Sequence, residues 1–199
     1  MKIVILVEGQ TEKCFFPCLR GFLEKQLVGR MPKLRPDVYD GRLPKNEKLR
    51  RKVELLLCGS ADHVIALTDV YTGTADFADA EDAKRKMRTW VGPNDRFHPH
   101  TALHDFEAWL IPYWPAIQKL ARHNKSAPPG TPESINHNCP PSRHIQEIFR
   151  VGQSPRDYIK TRDAKAILEG QDLSVAIACC PELKAFVNTI LTLSGGVAL

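Results

Sequence analysis

Lys2-Ile3-Val4-Ile5-Leu6-Val7-Glu8-Gly9 opens the chain with an unbroken apolar run that ends in a carboxylate and a glycine. A run without polar alternation, rich in β-branched residues, is the pattern of a strand buried on both faces, as in a parallel sheet. The same order of residues recurs at His63-Val64-Ile65-Ala66-Leu67-Thr68-Asp69, again apolar inside and acidic at the carboxyl end. Phe97 to Leu103 reads as a third strand, delivering His104, Asp105 and Glu107, and Arg35 to Tyr39 as a shorter fourth. Proline suits a strand edge or start, so Pro99 makes Phe97 to Leu103 the less regular of the long runs.

Helical periods separate these strands. From Thr11 onward Phe15, Phe16, Leu19, Phe22, Leu23 and Leu27 recur at helical spacing, with Pro17 expected to kink the helix or restart it. Asn46 to Cys58 carries an apolar face of Leu49, Val53, Leu56 and Leu57, and Ala80 to Trp90 reads as another helix. Strands alternating with helices predict an α/β fold, a mostly parallel four-stranded sheet with helices on both faces. Phe106 to Leu120 reads as an aromatic helix interrupted by Pro112 and Pro115. His123 to Pro141 reads as a long Pro, Asn, Ser and Gly loop, and Ser142 to Leu193 as three or four short helices. The expected organisation is an α/β core over residues 1–122, with 123–199 a loop and C-terminal helical extension of the same domain.

A chain of 199 residues with 43% hydrophobic content buries one full core. The first apolar run is too short for a signal core or a membrane span, so the expectation is a cytoplasmic protein with no membrane association. Six cysteines without a zinc-type pair of knuckles read as reduced thiols. The net charge of +5 permits nucleic acid as a partner without demanding it.

Ligands of open α/β sheets bind beyond the carboxyl ends of the strands, and Glu8, Asp69 and the segment His104 to Glu107 all fall there. Acids converging from three strands repel one another unless a cation neutralises them, which points to Mg²⁺ or Mn²⁺ on oxygen ligands. Glu12, four residues after Glu8, either joins this site or serves the helix N-terminus. His104 has three readings: a metal ligand, a general base, or a core histidine beneath the site. Arg143, His144, Lys160 and Arg162 flank the long loop, as phosphate contacts or as capping and salt-bridging surface residues.

Val7-Glu8-Gly9-Gln10-Thr11-Glu12 resembles the opening motif of TOPRIM domains in overcoming-lysogenization-defect-type nucleases. The whole chain resembles the TOPRIM-like family called domain of unknown function 4276. The likeness is carried by Leu67 to Tyr71 with Asp76-Phe77, by His104-Asp105-Phe106-Glu107-Ala108, by Pro141 to Ile145, by Tyr158 and Lys160, and by Cys180-Pro181 with Phe186. The resemblance implies a TOPRIM-like fold in which Glu8 is the general acid or base and a metal-side carboxylate, and Asp69 a Mg²⁺ ligand. TOPRIM domains carry Asp-x-Asp where this chain has Asp69-Val70-Tyr71, so Glu107 or Asp105 would replace the absent carboxylate. His144 stands where the family usually has Arg.

The expected function is therefore a Mg²⁺- or Mn²⁺-dependent nuclease or related phosphodiester enzyme acting on DNA or RNA. Its catalytic residues would be Glu8, Glu107 and His104, and its metal ligands Glu8, Glu12, Asp69 and Asp105. The resemblance implies a prokaryotic defence role beside a partner ATPase; the chain has no Gly-x-x-x-x-Gly-Lys-Ser/Thr loop, so that ATPase is expected to be another chain. The runner-up is a non-catalytic TOPRIM-like module that binds nucleic acid or protein. A small-molecule phosphate enzyme ranks third, because no glycine-rich loop follows the first strand.

Overall fold

The computed structural model describes residues 1–39, 41–71, 76–135, 139–153 and 155–199. Four strands, β1 (Lys2–Val7), β2 (Lys33–Val38), β3 (His63–Val70) and β4 (Phe97–Leu103), alternate with helices α1 (Gln10–Gln26), α2 (Asn46–Gly59) and α3 (Ala80–Val91). All strand pairs are parallel and the sheet order is β2-β1-β3-β4. The two central strands are the two apolar runs without proline. The two edge strands carry Pro36 and Pro99, where a missing N–H need not break a ladder.

Side-chain alternation sorts the central strands onto two cores. Ile3, Ile5, Val7, Ile65 and Leu67 face α1 and the C-terminal helices. Val4, Leu6, Val64 and Ala66 face Leu49, Val53 and Leu57 of α2 and Met87 and Val91 of α3. Each fully buried side chain of this size contributes about 1.5–3 kcal/mol. Dozens of them let the fold carry a costly charged site at one end.

After β4 the chain forms two 3₁₀ turns, Phe106–Trp109 and Ile111–Tyr113, before α4 (Trp114–Ala121). The interruption expected at Pro112 and Pro115 takes this form, with α-helix only from Trp114 onward. Pro112 disfavours α geometry at the residue before it, whereas Pro115 suits the first turn of α4. Pro17, in contrast, neither ends nor restarts α1. It sits on the exposed face, where the carbonyl left without its donor reaches water.

Four helices follow: α5 (Pro141–Val151), α6 (Lys160–Leu168), α7 (Leu173–Ile177) and α8 (Pro181–Leu193). Their apolar residues, Ile145, Phe149, Ile167, Phe186 and Leu191 among them, join the α1-side core rather than forming one of their own. An aromatic group ties the ends together. Phe15 of α1 meets Phe106 and Trp109 with centroids 5.8 and 5.6 Å apart, and Trp109 meets Phe186 of α8 at 5.9 Å. Part of the 123–141 loop lies outside the described residues. Its described part holds a short 3₁₀ turn, Pro132–Ser134, with Glu133 buried. Among the described residues no helix is long and apolar enough to cross a membrane.

Candidate active site

In the order β2-β1-β3-β4 the chain leaves β1 in one direction to form β2 and returns past it to form β3, so the topological switch lies between β1 and β3. Glu8 follows β1 and Asp69 lies near the end of β3, on either side of that switch. The register pairs Leu6 with Ala66, and its continuation sets Glu8 beside Thr68. The Thr68 hydroxyl donates to Glu8 Oε1, which also accepts the Leu43 N–H at 3.3 Å.

β4 supplies the third edge. Asp69 pairs with Ala102 and Val70 with Leu103, and His104 then turns into the left-handed region at φ 71°. Such a conformation is uncommon for a residue with a β-carbon and is found where a site constrains the chain. Asp105 and Glu107 follow it, 0% and 1% exposed. Asp105 Oδ2 accepts the N–H of Ser142 at the start of α5 at 3.3 Å, while its Oδ1 is buried without a hydrogen-bond partner. Lys160, at the start of α6, sets its Nζ 3.1 and 3.2 Å from the two oxygens of Glu107.

The carboxylates feel one another. Burial, then Glu8, Glu12, Asp105 and Glu107, hold Asp69 well above the usual carboxylate range. Burial and the neighbouring Asp105 raise Glu107 to about 7 against the pull of Lys160. Burial also raises Glu8, Glu12 and Asp105. It opposes the charge of Lys160 too, but Glu107, Asp105 and Asp69 outweigh it and raise that ammonium. Glu12 stands in the first turn of α1 and adds to the field at Asp69. A β-carbon on Gly9 would stand 3.2 Å from Glu12 Oε2, so a glycine leaves that carboxylate its place.

The structure therefore brings Glu8, Glu12, Asp69, Asp105, Glu107 and Lys160 together. Arg143, His144 and Arg162 have other surroundings. Arg143 is exposed on α5 beside Cys139, Glu147 and Arg150. His144 lies 3.9 Å from the Cys139 thiol, and burial lowers its pKa. Arg162 pairs with Asp163 at 2.9 Å, a buried acid that also holds Arg156. His104 is 2% exposed at the strand end, directly before Asp105.

Thr68, Ser142, Arg42 and Lys45 were not foreseen as part of the site. Thr68 had a signal, a hydroxyl inside an apolar strand directly before the acid. The others become neighbours of the acids only through loops and helix starts whose placement is tertiary.

Five carboxyl groups gathered at one sheet edge, with a buried oxygen lacking a donor, suit a hard divalent cation with oxygen ligands. Among the described residues no three His, Cys, Asp or Glu side chains already converge as a ligand cluster. Binding would therefore draw Asp69 and its neighbours closer. In metal-free buffer, Asp69→Asn should relieve repulsion and raise Tm, by ~2–4 °C for each kcal/mol relieved in a chain of this length. Adding Mg²⁺ or Mn²⁺ should raise the wild-type Tm and leave the variant nearly unmoved. Equal metal-induced shifts in a thermal melt would remove Asp69 from the site.

The family described as "Domain of unknown function (DUF4276)" matches residues 7–191, nearly the whole chain. The chain belongs to this family. No curated protein matches it. Among solved structures, this DUF4276 protein is similar to the C-terminal region of the Burkholderia pseudomallei OLD protein, with TM-score 0.57 and 13% identity over 97% of this chain and 98% of that one. It is likewise similar to the C-terminal region of the Xanthomonas campestris pv. campestris OLD protein, at TM-score 0.50 and 15% identity over 97% and 96% of the two chains. At such identities the likeness is one of fold, and the fold is TOPRIM-like.

Proposed function

We propose that this DUF4276 protein is a divalent-metal-dependent nuclease. The observation that supports it most is the buried acid cluster at the switch point, with Asp105 Oδ1 unpartnered and Lys160 paired with Glu107. Asp69, Glu8, Glu12 and Asp105 would hold Mg²⁺ or Mn²⁺, which when bound polarises a phosphate and activates water. Among the described residues Thr68 and Leu43 hold Glu8 through a single oxygen, and its other oxygen would orient water or take its proton. Lys160 stands beside Glu107, placed to exchange part of that contact for the charge that develops on the phosphate. His104, buried at the turn, sets where Asp105 and Glu107 point.

The resemblance to overcoming-lysogenization-defect-type nucleases extends the proposal to DNA or RNA as substrate, a cytoplasmic setting, a partner ATPase from another chain, and prokaryotic defence. Arg143 and Arg162 would contact the flanking strand only after exchanging their present surroundings. Tyr71 in place of a second aspartate favours one alternative, a non-catalytic module that keeps the fold for binding. Incubation of the protein with plasmid, linear DNA and RNA decides between them. The nuclease cuts in Mg²⁺ or Mn²⁺ and is silent in EDTA, whereas silence with every substrate and metal, with and without an ATPase partner, leaves the module.

A further inference from the structure

The cleft at the acids has a second wall that the catalytic reading does not use. It is formed by residues 41–45, between β2 and α2, and the loop is fixed to the catalytic strand end. The Gly41 N–H donates to the Glu8 carbonyl at 2.8 Å, and the Leu43 N–H donates to its carboxylate. Arg42 and Lys45 flank these anchors and line the same cleft as Glu8, Thr68 and Asp69. Both are held by one acid: Arg42 Nη1 and Lys45 Nζ each lie 2.5 Å from a different oxygen of Asp76.

We propose that Arg42 and Lys45 form a phosphate-recognition site for the nucleic-acid strand entering the acid cluster, with Asp76 occupying their donors until a phosphodiester displaces it. This assignment rests on the nuclease reading for the nature of its ligand. Asp76 resembles a phosphate in chemistry, two oxygens sharing negative charge between a guanidinium and an ammonium. The Arg42 side chain is 62% exposed and that of Lys45 39%, and such open ion pairs hold by about 0–1 kcal/mol, so exchange for a phosphate is cheap. A guanidinium also meets phosphate oxygens in a bidentate fork.

The floor of the cleft limits what is read. Phe77 and Trp90 lie with centroids 6.1 Å apart, but the Phe77 ring already meets two ammonium groups, Lys45 at 5.9 Å and Lys86 at 5.6 Å. The ring therefore positions lysines by cation–π attraction and offers no open face for base stacking. Recognition at this wall is of the backbone, independent of sequence.

Fluorescence anisotropy with labelled single-stranded and duplex oligonucleotides of two unrelated sequences, in EDTA over a range of salt, tests the site on the full chain. Arg42→Ala/Lys45→Ala should weaken binding by about tenfold or more and lower the duplex salt slope by about two, equally for both sequences. Asp76→Asn should tighten binding several-fold, a gain that misfolding cannot mimic. Unchanged affinity and slope in the double variant would overturn the assignment, as would an Asp76→Asn protein that binds no better than wild type, or a wild type that binds no nucleic acid. Binding that depends on the pair without cleavage in any metal keeps this site and removes the nuclease. Cleavage that depends on Glu8 while binding ignores Arg42 and Lys45 keeps the nuclease and removes this site.

Discussion

Replacing Glu8 with glutamine is expected to reduce metal-dependent cleavage by at least about 10²-fold, the scale of a lost general base, without unfolding the protein. The hydrogen bonds explain why the two effects separate. Both donors to Glu8 among the described residues, the Thr68 hydroxyl and the Leu43 N–H, reach the same oxygen, Oε1. A glutamine carbonyl placed there accepts both, and its amide takes the position of the other oxygen, so the loop at residues 41–45 stays anchored. The negative charge and basicity are gone, and with them the ability to hold a cation or accept a proton from water. Loss of one negative charge beside Glu12 also removes repulsion that raises Glu8 itself. The metal-free melting temperature of Glu8→Gln should therefore match or exceed that of wild type. Cleavage that persists in the folded variant would sink the mechanism. Glu107→Gln should be comparably damaging if Glu107 supplies the acid absent at Tyr71, and in that variant Lys160 loses its ion-pair partner.

The strand ends were legible because they follow from local pattern. An apolar run in Lys2 to Val7 or Val64 to Leu67 fits only a doubly covered strand, and the acid that ends it is visible in the letters. Pro99 suited its strand to an edge or a start, and β4 is an edge strand. What could not be read is the pairing of distant segments. Lys160 was legible as a cation suited to phosphate, yet its contact in the fold is Glu107, 53 positions away. Arg42 and Lys45 carry no local mark of a site, and only the β2–α2 loop brings them into the cleft beside Glu8. The aromatic segment from Phe106 was legible in its interruption but not in its 3₁₀ geometry. Its spacing is helical, but the prolines within it break the hydrogen-bond ladder that a helix needs, and 3₁₀ turns result.

The loop after α4 hid the residue whose removal should cost the fold most. Glu133 stands in a Pro-, Asn-, Ser- and Gly-rich stretch with no period to mark it, but it is 4% exposed. Its Oε1 accepts the Trp109 indole N–H at 2.9 Å and the Leu183 N–H at 3.3 Å, and its Oε2 accepts the Glu182 N–H at 2.9 Å. One carboxylate thus closes the N-terminus of α8, where a negative charge also complements the helix dipole, and pins the 3₁₀ turn that contains Glu107. Glu133→Ala leaves three inward-facing donors without an acceptor. At roughly 1–3 kcal/mol for each buried orphan, a loss of about 3 kcal/mol is the low end, or ~6–12 °C in Tm. Glu133→Gln should fall between: its carbonyl can serve Trp109 and Leu183, but its amide then faces the Glu182 N–H, donor against donor. Because Trp109 lies two residues after Glu107, cleavage by Glu133→Ala should also drop at temperatures where the variant is still folded. Thermal melts and cleavage rates on the three proteins test this, and an alanine variant that melts within 2 °C of wild type would show that α8 and the turn are held by their apolar contacts alone.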